Sequence, residues 1–215
     1  MSSPAQRFLE KYYAKKERDV TNVKASNAYE MMLAKLNNDR IRLKKFQSTE
    51  AKIDLKKQLI PEYINWINGI LSSDSAQQDD VFMRLLVWMI DTKQFELAYP
   101  LAQHALKHKW VTPDEYQRQT ATLITEELAN TTLSQINNKE DIDIDTLLKF
   151  SDLVADKDMF DQVRAKLNKA IGFVFKDKYP AQALAYLKRA LELDENSGVK
   201  GTIKALEKAT ENAKS

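Results

Sequence analysis

Residues 27–71 read NAYEMMLAKLNNDRIRLKKFQSTEAKIDLKKQLIPEYINWINGIL, and the architecture of the chain follows from this segment. Its first part is rich in Ala, Leu, Lys and Glu, which predicts one long helix from about Ala28 to Leu59. Apolar residues recur in two heptad rows and occupy seven of the ten positions Tyr29, Leu36, Leu43, Glu50, Lys57, Met32, Asp39, Phe46, Ile53 and Ile60. This seam predicts a coiled coil or a helical hairpin. The alternative is an amphipathic helix that packs on its own domain.

Further helices are predicted on the C-terminal side of this segment. Pro61 begins a new helix, which the apolar residues up to Leu71 should bury. Polar breaks at 72–78, 91–94 and 137–145 separate the following helices, and the run Thr112–Glu115 predicts another helix start. Small residues between Gly172 and Asp194 resemble a tetratricopeptide unit. The predicted fold is all-α, with a long N-terminal coiled-coil-like helix, then a bundle of antiparallel helical hairpins that is tetratricopeptide-like at the C-terminus.

Composition agrees with a helical intracellular protein. The 215 residues include only 4 Gly and 5 Pro, which leaves little material for hairpin turns. There is no Cys, so neither disulfides nor thiolate metal sites are available. No apolar run is long enough for a membrane span, and the first residues do not resemble a signal peptide. We therefore expect a soluble protein without a membrane partner.

Charge divides the chain into two predicted domains. Residues 1–60 hold fourteen Lys and Arg against seven Asp and Glu, a net charge of +7, and the remainder carries −5. A basic segment beside an acidic body is typical of nucleic-acid binding, although a solvated helix face has the same composition. The prediction is a DNA-binding and oligomerisation segment at 1–60 and a helical-hairpin domain at 61–215. The predicted DNA-binding residues are Arg7, Lys11, Lys15, Lys16, Arg18, Arg40, Arg42, Lys44, Lys45, Lys52, Lys56 and Lys57.

The heptad rows supply the predicted oligomer contacts. Helix pairing between copies of the chain is assigned to Tyr29, Leu36, Leu43, Phe46 and Ile53. The C-terminal hairpins are interpreted as a protein-interaction module.

No catalytic or metal site is predicted. His104 and His108 are spaced to share one helix face, but the zinc-protease motif is absent and we interpret them as surface or half-buried residues. Asp141, Asp143 and Asp145 imitate a calcium loop without its glycine, so the acidic loop should cap a helix, with Asp145 as the cap. The best candidates for a metal-dependent nuclease are Asp79, Asp80 and Asp91, yet carboxylates at a helix start need no catalytic role. We expect no cofactor and no autonomous enzyme.

An ordered set of motifs runs along nearly the whole chain: Ser3–Arg7, Tyr29, Met32, Leu33, Lys35, Leu36, Pro61, Trp66, Asn68, Gly69, Gln78–Asp80, Trp88, Asp91, Thr92, Ala105–Lys107, Glu126, Glu127, Val163–Leu167, Ala183, Leu184, Ala190, Leu193 and Asp194. In this ordered set the chain resembles the small terminase subunits of tailed phages with cohesive DNA ends.

The resemblance implies a homo-oligomer, taken as a ring, that recognises the cohesive-end site on concatemeric double-stranded DNA. It implies that the protein acts in the host cytoplasm and presents the DNA to a large terminase subunit with ATPase and nuclease activity. Two alternatives remain open. The family is often labelled an endonuclease subunit, so one alternative is a metal-dependent endonuclease, and the other is a helical-repeat scaffold that binds only proteins.

Overall fold

The computed structural model describes Lys11, residues 26–112 and residues 119–212. Every regular element in these residues is helical, which confirms the all-α class. None of the described helices has the length and apolar character needed to cross a membrane. The elements are α1 (26–44), α2 (Thr49–Leu59), a 3-10 turn (Ile60–Tyr63), α3 (Ile64–Ser73), α4 (Asp80–Asp91), α5 (Phe95–Lys107), α6 (Thr120–Asn138), α7 (Ile144–Leu153), α8 (Asp161–Phe175), α9 (Pro180–Leu193) and α10 (Lys200–Asn212).

The predicted helix from Ala28 to Leu59 is interrupted at 45–48, so the prediction of one continuous helix is wrong. α1 closes with a turn in which the Lys45 N–H donates to the Arg42 carbonyl at 3.1 Å. The Ser48 hydroxyl then accepts from the Ala51 N–H at 3.4 Å. A serine hydroxyl at this position satisfies an N–H that has no partner within the helix, and this favours a new start.

The chain divides into two compact units, residues 1–52 and residues 53–215. In the first unit, α1 buries Leu36, Asp39 and Leu43, whose spacing of three and four residues defines one helix face. The buried Asp39 carboxylate accepts from Lys35 Nζ and from an Arg42 guanidinium nitrogen, both at 2.8 Å. These two cations offset the cost of burying the charge. A functional boundary at residue 60 remains a prediction.

The second unit is built around α4. All ten residues from Val81 to Ile90 are buried, so this helix is covered on every side, as expected for a central core helix. It packs against α5, α6 and the 3-10 turn. Asp79 caps its start, where one carboxylate oxygen accepts from the Phe82 N–H at 2.7 Å. The apolar sequence of α4 therefore explains its central position.

The C-terminal part of the second unit is the α8–α9 hairpin with α10 packed on it. Ala183 and Ala190 on α9 are fully buried. A Cβ placed on Gly172 of α8 would lie 2.6 Å from the Leu187 side chain, so the two helices approach closely at this glycine. Val199 and Ile203 join Leu187 in one apolar cluster. These contacts fit the small residues noted in the sequence, while a tetratricopeptide-like arrangement and a coiled coil are not confirmed.

Candidate functional site

The N-terminal basic segment lies largely outside the described residues. Arg7, Lys15, Lys16 and Arg18 are among the residues that the structure does not describe, and Lys11 is helical and exposed. The predicted helix start at Thr112–Glu115 also falls partly outside, because residues 113–118 are not described.

The lysines at the end of α1 are exposed cations among the predicted DNA-binding residues. Lys44 and Lys45 are exposed, and neither forms an ion pair within the described parts of the chain. Arg42 is half-exposed but already contacts the buried Asp39. Arg40 is half-buried on the same helix. The end of α1 therefore presents two adjacent positive charges to solvent.

The predicted cations of α2 differ in their surroundings. Lys57 is exposed, and Lys52 is half-buried. Lys56 Nζ contacts a carboxylate oxygen of Asp91, and only 18% of the Lys56 side chain is accessible. The charge of Lys56 is thus already neutralised within the second unit, which leaves Lys57 as the more accessible of this pair.

The residues predicted to pair helices between copies have three different environments. Leu36 and Leu43 are buried within the single chain. Tyr29 and Ile53 are half-buried. Phe46 lies in the break between α1 and α2 with 42% of its surface exposed. Of the five, Phe46 is the most exposed.

The three aspartates considered for a nuclease do not converge. One Asp79 oxygen caps α4 and the other accepts from the Trp66 indole N–H at 3.1 Å. Burial raises the pKa of Asp79, although the hydrogen bonds from Phe82 and Trp66 act in the opposite direction. Asp91 lies at the far end of α4, about 18 Å away along the helix axis. Asp79 and Asp91 therefore cannot share one metal ion.

The acidic loop before α7 is a helix cap, as expected, but the capping residue is Asp143 and not Asp145. Asp143 accepts from the Thr146 N–H at 3.0 Å and from the Thr146 hydroxyl at 2.6 Å. These bonds hold the pKa of Asp143 below its usual range. Asp145 instead stands in the first turn of α7, where its charge complements the helix dipole.

A cluster of Asp74, His104 and His108 is the arrangement that the sequence did not predict. The two histidines lie one turn apart on α5 and at its end, with ring centroids 4.5 Å apart. Asp74 comes from the C-cap of α3, and one of its oxygens lies 2.9 Å from His108 Nε2 and 3.7 Å from His104 Nδ1. Asp74 is thirty residues before His104, so only the packing of α3 against α5 brings the three together.

The surroundings of the cluster favour an ionised Asp74 and a neutral His104 at neutral pH. Hydrogen bonds from Lys107 and His108 lower the pKa of Asp74 to about 2. Burial lowers the pKa of His104, which opposes protonation of its ring. At neutral pH the structure therefore combines an ionised carboxylate with a neutral, buried imidazole.

Comparison with known proteins identifies similar chains in two phages. Residues 33–162 match the family model described as phage small terminase subunit. The chain is 36% identical over 211 residues to the terminase, endonuclease subunit of Escherichia phage P2, an alignment that covers 97% of this chain and 85% of that protein. It is 23% identical over 107 residues to the probable terminase, endonuclease subunit of Haemophilus phage HP1 (strain HP1c1), covering 49% of this chain and 38% of that protein. No solved structure matches the chain.

Proposed function

Because this chain belongs to the phage small terminase subunit family and so has a role in phage DNA packaging, we propose that it recognises the cohesive-end site on concatemeric DNA. In this proposal it acts in the host cytoplasm as a homo-oligomer and presents the site to the large terminase subunit for cutting and packaging. The single observation that carries the DNA-binding role is the net charge of +7 in residues 1–60. The body of the chain carries the opposite sign.

The proposed DNA contacts centre on the end of α1. Lys44 and Lys45 are exposed and make no ion pair within the described residues, so both can neutralise phosphates and release counterions. Lys57 and the basic residues of the N-terminal segment extend the contact set. Lys56 contributes less, because moving it to a phosphate would leave Asp91 without its cation. These are contacts to the DNA phosphate backbone, which provide affinity but do not distinguish one DNA sequence from another.

The proposed oligomer uses apolar surface near the same place. Phe46 and Ile41 expose 42% and 57% of their surface. Burying such apolar surface against another chain stabilises the complex. Leu36 and Leu43 are buried within the single chain, so they support α1 and take no direct part in this contact. In this proposal the C-terminal hairpins contact neighbouring copies or the large subunit.

A second candidate function is an endonuclease, because the relatives from P2 and HP1 are named endonuclease subunits. It requires carboxylates that converge on one or two divalent ions. Asp79 and Asp91 stand at opposite ends of α4, and Asp91 contacts Lys56. This separation counts against a metal centre built from Asp79 and Asp91, so our proposal assigns cleavage to the large subunit.

Charge reversal tests the proposed contact set. We expect Lys44→Glu with Lys45→Glu to weaken binding to a cohesive-end duplex at least about 10-fold and to lower the salt dependence by about two counterions. The matched control is Lys204→Glu with Lys208→Glu, which makes the same charge change on two exposed lysines of α10. Fluorescence anisotropy at several salt concentrations measures both quantities. An equal loss of affinity in the two variants would show a general charge effect and no contact at α1.

The same samples test the oligomer and the nuclease. Native mass spectrometry of the unaltered chain should give an oligomer, and both variants should keep it, so that a loss of DNA binding is not a loss of assembly. A monomer at micromolar concentration would contradict the proposed assembly. Nicking of the duplex by the isolated chain with Mg²⁺ would instead favour the endonuclease.

A further inference from the structure

We propose that Asp74, His104 and His108 form a binding site for Zn²⁺, with a water molecule as the fourth ligand. The site lies wholly within the second unit and does not depend on the DNA-binding role. It would join the loop that follows α3 to the end of α5.

The spacing of the ligand atoms fits a tetrahedral ion. Two ligands with bonds of about 2.0–2.1 Å at tetrahedral angles lie about 3.3 Å apart. The Asp74 oxygen is 2.9 Å from His108 Nε2 and 3.7 Å from His104 Nδ1, on either side of that value. All three ligand atoms lie within 4.8 Å of one another.

His104 has the orientation and the tautomer of a metal ligand. Its Nε2 lies 2.8 Å from the Ser75 carbonyl oxygen, an acceptor, so Nε2 carries the proton and Nδ1 keeps its lone pair. A metal-bound histidine usually donates its second ring N–H to a carbonyl or a carboxylate in this way. The rings of Phe82 and Trp110 pack on the imidazole at 5.4 and 4.9 Å. His104 is therefore held in place before an ion arrives.

Asp74 and His108 complete the site with few changes. Lys107 Nζ lies 2.5 Å from one Asp74 oxygen and leaves the other facing the imidazoles. Without metal, His108 Nε2–H donates to that oxygen. On binding, Nε2 gives its lone pair to Zn²⁺, and the single proton of the neutral ring resides on Nδ1. Lys107 then remains a partner of the carboxylate outside the metal's own ligands.

Two imidazoles and one carboxylate select a transition ion. Nitrogen ligands suit Zn²⁺, whereas Mg²⁺ and Ca²⁺ prefer oxygen ligands. Because the three ligands come from two segments thirty residues apart, an ion bound there stabilises the folded chain over the unfolded chain. Zn²⁺ thus fixes the loop 74–78 to the end of α5, beside the bond in which Trp110, just after α5, donates its Nε1–H to the Ala76 carbonyl at 3.0 Å.

Isothermal titration of the full chain with ZnCl₂ tests the site, with any affinity tag removed because His104 and His108 are the only histidines of the chain. We expect one Zn²⁺ per chain. Asp74→Asn and His108→Gln should each weaken binding by more than the roughly 10- to 100-fold typical of changes outside the direct ligands. Asn is chosen at position 74 because the backbone there has φ 48°, a conformation that Asn adopts readily.

Glu140→Gln is the matched control, since Glu140 is also an exposed carboxylate that contacts a lysine, Lys93. It should leave zinc affinity unchanged, and circular dichroism should show that all three variants fold. Co²⁺ in place of Zn²⁺ should give the intense visible absorption of tetrahedral coordination. The proposal is overturned if the chain binds no Zn²⁺, if both ligand variants bind it as tightly as the unaltered chain, or if Co²⁺ shows only a weak octahedral spectrum.

Discussion

Asp79 is a buried carboxylate whose two oxygens serve two different parts of the second unit. One oxygen caps α4 through the Phe82 N–H, and the other accepts from the Trp66 indole on α3. The sequence indicated a helix start at Asp79, because two carboxylates precede an apolar run. It could not indicate the Trp66 bond, since that contact depends on how α3 packs beside the start of α4.

We predict that Asp79→Ala lowers the free energy of unfolding by about 2 kcal/mol, because it removes a helix cap and the hydrogen bond that Asp79 accepts from the Trp66 indole. Urea denaturation followed by circular dichroism measures the change. Asp80→Asn is the control: Asp80 is exposed in the first turn of α4, and its change should stay within about 0.5 kcal/mol. If Asp79→Ala is as stable as the unaltered chain, the buried carboxylate has a role other than capping.

The cluster of Asp74, His104 and His108 could be predicted only in part from the sequence. The spacing of His104 and His108 predicted that they share a helix face, and α5 places them so. The third ligand was not predictable, because Asp74 is one of many aspartates in polar loops and no local pattern marks it. Its left-handed backbone at the end of α3 turns it toward α5.

At the scale of elements, most helices were predictable and their junctions were less so. α4 was predictable because a largely apolar run, residues 81–90, stands between two polar breaks, and all ten of its residues are buried. The break at 45–48 is not evident from the sequence because Lys45, Phe46 and Gln47 are tolerated in a helix, and the Ser48 cap competes with helix continuation by a small margin. The shift of the α7 cap from Asp145 to Asp143 has the same origin, since either aspartate can cap and the Thr146 contact selects one.

The α8–α9 packing supplies a prediction at this scale. Gly172→Ala should lower the free energy of unfolding by about 1–2 kcal/mol, because the new Cβ would lie 2.6 Å from the fully buried Leu187 side chain. Thermal denaturation measures this. Gly69→Ala in α3 is the control, as nothing lies within 4 Å of its new Cβ, and it should raise stability by about 0.5–1 kcal/mol. A stabilising Gly172→Ala would contradict the close approach of the two helices.

For the whole molecule, charge and family point to the same function by separate routes. The net charge of +7 in residues 1–60 predicts an anionic partner and contains no information on DNA sequence. The family relationship places the chain in phage DNA packaging. Lys44 and Lys45 explain how the chain would attach to a phosphate backbone. Cohesive-end recognition requires base or shape readout that lysine–phosphate contacts do not provide.

The affinity ratio between a duplex with the cohesive-end sequence and a shuffled duplex of equal length tests this recognition most directly. Both are measured with the full chain by fluorescence anisotropy at physiological salt, where nonspecific attraction is weakened. We predict that the cohesive-end duplex binds at least about 10³-fold more tightly, as specific DNA-binding proteins do. Equal affinity for the two duplexes would contradict recognition of the packaging site by this chain.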